Sequence, residues 1–114
     1  MKKLLLILCC LPLLMAAQTE KRLALVIGNS DYEFTTKLTN PVNDALLIAK
    51  TLEELDFDVI FDTNLVDRSA FIATIAEFGE RRENYDVAFV FYAGHGSQIN
   101  NNNYLLPTGI NATK

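Results

Sequence analysis

Cysteine is nearly absent from this chain. Two occur, Cys9 and Cys10, and both lie within the first 17 positions. Residues 18–114 therefore contain no disulfide framework, no cysteine-based metal site and no thiol nucleophile. Histidine occurs once, as His95, and no paired ligand spacing surrounds it, which argues against zinc. No metal and no cofactor is expected. Glycine patterning is equally sparse. No Gly-x-Gly-x-x-Gly follows Gly28, so there is no dinucleotide fingerprint. None of Ser30, Ser69 or Ser97 sits in the Gly-x-Ser-x-Gly elbow of an α/β-hydrolase. Basic residues are outnumbered, 10 against 14 acidic ones, for a net charge of −4. That balance argues against nucleic acid or an anionic lipid surface as partner.

The amino-terminal segment carries an address. Lys2 and Lys3 form a positive region, Leu4 to Met15 an apolar stretch, and Ala16-Ala17 a small-residue cleavage zone before Gln18. The stretch is too short and wrongly flanked for a membrane span, and residues 1–17 read as a signal peptide. A buried hydrophobic helix is the plainer alternative. A lipoprotein anchor fits poorly, because Ile7-Leu8 rather than small residues precede Cys9. Export to the periplasm or the cell exterior is the expectation, with no membrane association after cleavage. Residues 18–114 then form at most one domain, which at this size buries only about two-thirds of its unfolded surface.

Along that domain, apolar runs and helical spacings alternate. Leu23-Ala24-Leu25-Val26-Ile27 reads as a buried strand closed by Gly28-Asn29, and residues 29–39 as a polar loop. Asn40-Pro41 is a helix start, with Asn as N-cap and Pro at the first position; Ala45, Ile48, Ala49, Leu52 and Leu55 follow at helical steps. Phe57, Val59 and Phe61 alternate with Asp58, Ile60 and Asp62, suiting a strand nearer a sheet edge. Asp67 can cap a second helix with a stripe of Phe71, Ile72, Ile75 and Phe78. A third strand runs from Asp86 to Tyr92, and a small hairpin is expected around Asn100 to Asn103. This alternation predicts an α/β fold, three layers with a mainly parallel sheet. The first and third strands, apolar on both faces, read as central, giving a flavodoxin-like local order of second, first, third.

His95 is the chemical focus of that plan. It lies in Gly94-His95-Gly96-Ser97, at the carboxyl end of the third strand, facing the loop that begins Gly28-Asn29-Ser30-Asp31. Open α/β sheets place ligands at such a switch point. An imidazole serves there as general acid or base, and glycines allow backbone N–H groups to approach a ligand. The plainer alternative is a hydrogen-bonded, inert histidine at a strand end.

Four segments together resemble the large-subunit half of a caspase-like cysteine peptidase, of the bacterial or metacaspase-type branch. They are Ala24-Leu25-Val26-Ile27-Gly28-Asn29, Leu38 to Ala45, Phe91 to Gln98, and Asn103-Tyr104-Leu105-Leu106-Pro107. The resemblance implies a His–Cys dyad. His95 matches its histidine, the Gly96 N–H matches one oxyanion donor, and Asp44 falls in the segment that helps form the P1-specificity pocket. Where Asp-specific caspases carry an arginine, this chain has Leu38, which with Asp44 favours a basic P1 residue, Arg or Lys. The alternative for Asp44 is a first-turn carboxylate at the positive end of a helix dipole. The family's cysteine follows the next core strand, beyond Lys114. The expectation is thus a fragment, residues 18–114 being the amino-terminal half of the catalytic domain. Its partners would be a peptide or protein substrate and the remaining half of that domain, and alone it would not cleave. A non-catalytic caspase-like module that binds peptide or a partner is the alternative.

Overall fold

The computed structural model describes residues 19–111. The expected signal peptide, residues 1–17, lies outside the described residues. Strand β1 (Arg22–Gly28) forms where five consecutive apolar residues offer both faces for burial. Leu23 to Ile27 are all sealed from solvent, as the middle strand of a parallel sheet requires. Strands β2 (Phe57–Thr63) and β3 (Val87–Ala93) flank it in the order β2-β1-β3, both parallel. The register aligns Arg22 with Phe57 and Val87, and Gly28 with Thr63 and Ala93, so all three strands end at one level. That shared edge is the platform for the site.

Helix α1 (Pro41–Glu54) covers one face of the sheet. Its Ala45, Ala49 and Leu52 pack on Ala24 and Val26, with Ile48 and Phe91 alongside. Helix α2 (Arg68–Arg81) covers the other, where Phe71 and Phe78 meet Leu23, Leu25, Ile27 and Ile60. The fold is therefore the expected three-layer α/β/α arrangement. A full burial of each such Leu, Ile or Phe contributes about 1.5–3 kcal/mol. Gly28 sets how closely α1 approaches. A Cβ there would stand 2.6 Å from the Pro41 carbonyl and 2.7 Å from the Ala45 Cβ, so the first turn of α1 rests directly on the end of β1.

Several local expectations are corrected. The α2 stripe is Phe71, Thr74 and Phe78, whereas Ile72 and Ile75 are each 50 % exposed. Thr74 is drawn inward because its hydroxyl donates to the Asp62 carboxylate at the end of β2. Leu55 is exposed at the carboxyl cap of α1 rather than part of its core stripe. Asn40 occupies the N-cap position of α1 but its side chain caps nothing, having helical backbone angles. The acceptor comes from a distance instead: Ser30 Oγ takes the Val42 N–H at 3.2 Å. Asp67 does cap α2, accepting the Ala70 N–H at 2.8 Å. Strand β3, apolar on both faces, is an edge strand of the described sheet, with Phe89 41 % and Val90 57 % exposed.

The hairpin begins earlier than its asparagines suggest. Strands β4 (Gly96–Ile99) and β5 (Asn102–Leu105) pair antiparallel around Asn100 and Asn101, whose positive φ of 50° and 64° belong to a two-residue primed turn. His95 thus occupies the single step between β3–Gly94 and β4.

Candidate functional site

The loop after β1 is held in shape from three sides. The Asn29 N–H donates to the Ala93 carbonyl at 2.8 Å, closing β1 onto the end of β3. The Asn29 side chain is fully buried, its Oδ1 accepting the Leu65 N–H at 2.9 Å and its Nδ2 donating to the Leu106 carbonyl at 3.3 Å. Asn64, at the end of β2 with φ 51°, accepts the N–H groups of Ser30 and Asp31 at 2.9 and 3.1 Å. The Ser30 carbonyl in turn accepts the N–H groups of Tyr32 and Leu38, folding residues 30–38 back on themselves.

That folded loop delivers two groups to His95. The Thr36 carbonyl lies 2.8 Å from His95 Nε2. A carbonyl can only accept, so Nε2 carries the proton and Nδ1 of the neutral ring keeps its lone pair. Nδ1 has no hydrogen-bond partner among the described residues. The second group is Tyr32, only 1 % exposed, whose ring meets the imidazole edge-on at a centroid distance of 4.5 Å. Its hydroxyl accepts the His95 N–H at 2.7 Å. On the opposite side the Tyr92 hydroxyl donates to the His95 carbonyl at 2.7 Å, and the Leu106 N–H donates to the same oxygen at 3.0 Å. Both backbone groups of the histidine are therefore occupied. Burial, and next the neighbouring Tyr32 hydroxyl, push the Tyr92 phenol well above its ordinary range, so it stays a neutral donor.

The two glycines beside His95 have different reasons to be there. At Gly94, with φ 158°, a Cβ would stand 2.5 Å from the Tyr92 hydroxyl and 2.7 Å from that of Tyr32. Gly94 is thus a packing requirement. At Gly96 the nearest atom to a Cβ would be the Tyr104 carbonyl at 3.4 Å, and the residue is exposed. Opposed pairs in an antiparallel ladder alternate between hydrogen-bonded and non-hydrogen-bonded. The Leu106-to-His95 bond puts that pair in the first class, so the neighbouring Gly96–Leu105 pair falls in the second and the Gly96 N–H points away from β5. It is open to a ligand.

Asp44 sits on the exposed face of the first turn of α1, its N–H bonded to the Asn40 carbonyl. The Ser30–Val42 bond ties that turn to the loop that reaches His95, at the same end of the sheet. No hydrogen bond or ion pair joins Asp44 to His95 among the described residues. Leu38 is half-buried within the folded loop. A hollow of about 370 Å³ lined by Lys21, Arg22, Asp56, Asp58 and Tyr85 lies at the opposite, amino-terminal edge of the strands. An apolar groove of about 560 Å³ between α2 and the hairpin borders the site through Ser97 and Leu106.

Tyr32 and Thr36 were not singled out from the sequence. Tyr32 stands in a polar segment, and the only signal for it is an aromatic four residues past a buried strand. Thr36 contributes a backbone carbonyl, which any residue type supplies.

A three-layer α/β fold with a polarised histidine at the switch point, between a packing glycine and an open backbone donor, defines a class. It is that of α/β proteins that carry a histidine at the carboxyl edge of a parallel sheet. The family model of the caspase domain matches residues 21–111, and the chain belongs to that family. Comparison with curated proteins returns no match. Membership makes it a protease-family domain, whose substrates are peptides or proteins.

Proposed function

We propose that this chain supplies the histidine half of a cysteine endopeptidase site of the caspase and metacaspase type. One observation carries the reading: the Thr36 carbonyl holds Nε2–H, leaving Nδ1, without a partner among the described residues, as the proton acceptor. In thiol chemistry Nδ1 takes the proton of a cysteine thiol as the sulfur attacks a peptide carbonyl, then returns it to the leaving amine. The outward Gly96 N–H is assigned to the oxyanion that forms on that carbonyl. Asp44, exposed and without an ion pair among the described residues, is assigned to a basic P1 side chain.

The thiol is assigned to a further segment of the catalytic domain, because the cysteines of the sequence, Cys9 and Cys10, fall in its first 17 residues. The edge of β3, unpaired among the described residues and with Phe89 41 % and Val90 57 % exposed, supports docking of that segment as the next parallel strand. Residues 1–17 act as the export signal in this reading, and the domain works outside the cytoplasm.

The test is co-expression of the chain with a caspase-type half-domain bearing the cysteine, assayed on peptides with Arg, Lys or Asp at P1. Thiol-reagent-sensitive cleavage after Arg or Lys is expected. His95→Ala should reduce it by about 10²–10⁴, the usual worth of a general base. Undiminished cleavage in His95→Ala refutes the assignment. Saturable peptide binding without cleavage in the complemented complex would instead favour a non-catalytic binding module.

A further inference from the structure

A hydroxyl group stands inside a β-ladder at this site. His95 and Leu106 are the opposed pair that follows Gly96–Leu105 at the open end of the β4–β5 hairpin. One of their two expected cross-strand bonds is present, from the Leu106 N–H to the His95 carbonyl at 3.0 Å. The other is replaced. The His95 N–H donates to the Tyr32 hydroxyl at 2.7 Å, and that hydroxyl donates onward to the Leu106 carbonyl at 3.1 Å. Tyr32 belongs to the loop after β1, 63 residues before His95 in sequence.

From this geometry we infer that Tyr32 is a positioning residue for the His95 imidazole. The inference rests on the reading of His95 as the proton acceptor and adds the means by which its tautomer is set. The hydroxyl bridges the His95 N–H and the Leu106 carbonyl, where the second direct bond of the pair would otherwise run. The same tyrosine lays its ring against the imidazole edge at 4.5 Å. Four residues along the same loop, Thr36 receives the Nε2–H. The backbone N–H and the ring of the histidine are thus both referred to one segment, residues 30–38. The Tyr92 hydroxyl secures the other backbone group, but the Leu106 N–H holds that same carbonyl. Tyr92 is partly redundant there, whereas the Tyr32 hydroxyl is the acceptor that holds the His95 N–H among the described residues. The absence of a Cβ on Gly94 is what allows both hydroxyls to reach this point.

Because His95 is the sole histidine, ¹⁵N-labelled full-length chain gives one imidazole spin system. In the unsubstituted protein the Nε2–H resonance is expected to be present and slowed against solvent exchange. Tyr32→Phe should keep a cooperative melt yet speed exchange of that proton by about tenfold, roughly the protection that one hydrogen bond provides. Tyr85→Phe, whose hydroxyl bonds Asp58 at the other edge of the sheet, should leave it unchanged. An Nε2–H unaffected by Tyr32→Phe overturns the inference. If Tyr32→Phe does not fold, the unsubstituted chain still decides: the His95 amide should exchange far more slowly than the outward Gly96 amide, and equal rates overturn it. None of these readouts needs peptidase activity. A failed cleavage assay with a normal Nε2–H signal therefore counts against the catalytic reading alone.

Discussion

Gly94→Ala and Gly96→Ala place the same methyl group one residue to either side of His95, and they should behave as opposites. At position 94 the new Cβ meets the Tyr92 hydroxyl at 2.5 Å, the Tyr32 hydroxyl at 2.7 Å and the Tyr92 Cζ at 2.9 Å. Neither hydroxyl has room to retreat, since both are bonded to the His95 backbone. Overpacking of this kind costs about 1–3 kcal/mol. A side chain at φ 158° adds about 1–3 kcal/mol of backbone strain. The sum, about 2–6 kcal/mol, is a large part of the 5–15 kcal/mol typical of a whole domain. At position 96 the nearest neighbour would be 3.4 Å away, so the methyl meets a slightly tight but tolerable contact, and surface changes of this kind stay within about 0.5 kcal/mol. Urea denaturation of the full chain separates the two. A loss of about 3 kcal/mol moves the midpoint by about 1–3 M, given ordinary slopes for small domains. Gly94→Ala is expected to shift by that much or to lose its transition, and Gly96→Ala to overlay the parent. A Gly94→Ala midpoint indistinguishable from the parent, or equal damage at both positions, would falsify the division into a packing glycine and an open one.

Ser30→Ala should destabilise the fold by about 1 kcal/mol through loss of the α1 cap, while Asn40→Ala changes little; chemical denaturation giving the reverse order would contradict the observed cap. Asn29→Ala strands the buried Leu65 N–H and should cost about 2–3 kcal/mol by the same measurement, and a loss below half of that would argue against its bridging role. The raised Tyr92 pKa gives a third expectation. The fold favours the protonated phenol, so its contribution is complete below the unfolded value of about 10 and fades as pH climbs past it. Thermal midpoints followed from neutral pH to above that value should fall less steeply in Tyr92→Phe, and parallel curves would remove Tyr92 as the cause.

Strand order, helix positions and the place of His95 were legible because they depend on runs and spacings that every residue helps to write. Leu23 to Ile27, buried on both faces, announces the middle strand, and the steps from Ala45 to Leu52 announce the face of α1. What was not legible depends on groups far apart in sequence. Ser30 caps a helix whose own Asn40 looks the better cap. Thr74 displaces Ile75 from the inner stripe because Asp62, on another element, accepts its hydroxyl. Apolar composition identified β3 as a strand built for two neighbours, but β1 is its only partner among the described residues. Asp44 could be placed on the first turn of α1, yet the link from that turn to the His95 loop runs through Ser30.

The clamp around His95 also has a topological meaning. Its bonds join residues 59 and 63 positions apart at the histidine, and 74 and 77 apart where Tyr32 and Asn29 reach Leu106. Closing loops of that length costs entropy that no local propensity offsets. Helices α1 and α2 can each satisfy their own hydrogen bonds, but the site exists only when both ends of the described chain have met. Helical content measured by circular dichroism is therefore a poor proxy for an assembled site. The imidazole itself, alone of its kind in the chain, is the reporter that registers whether the whole topology has closed.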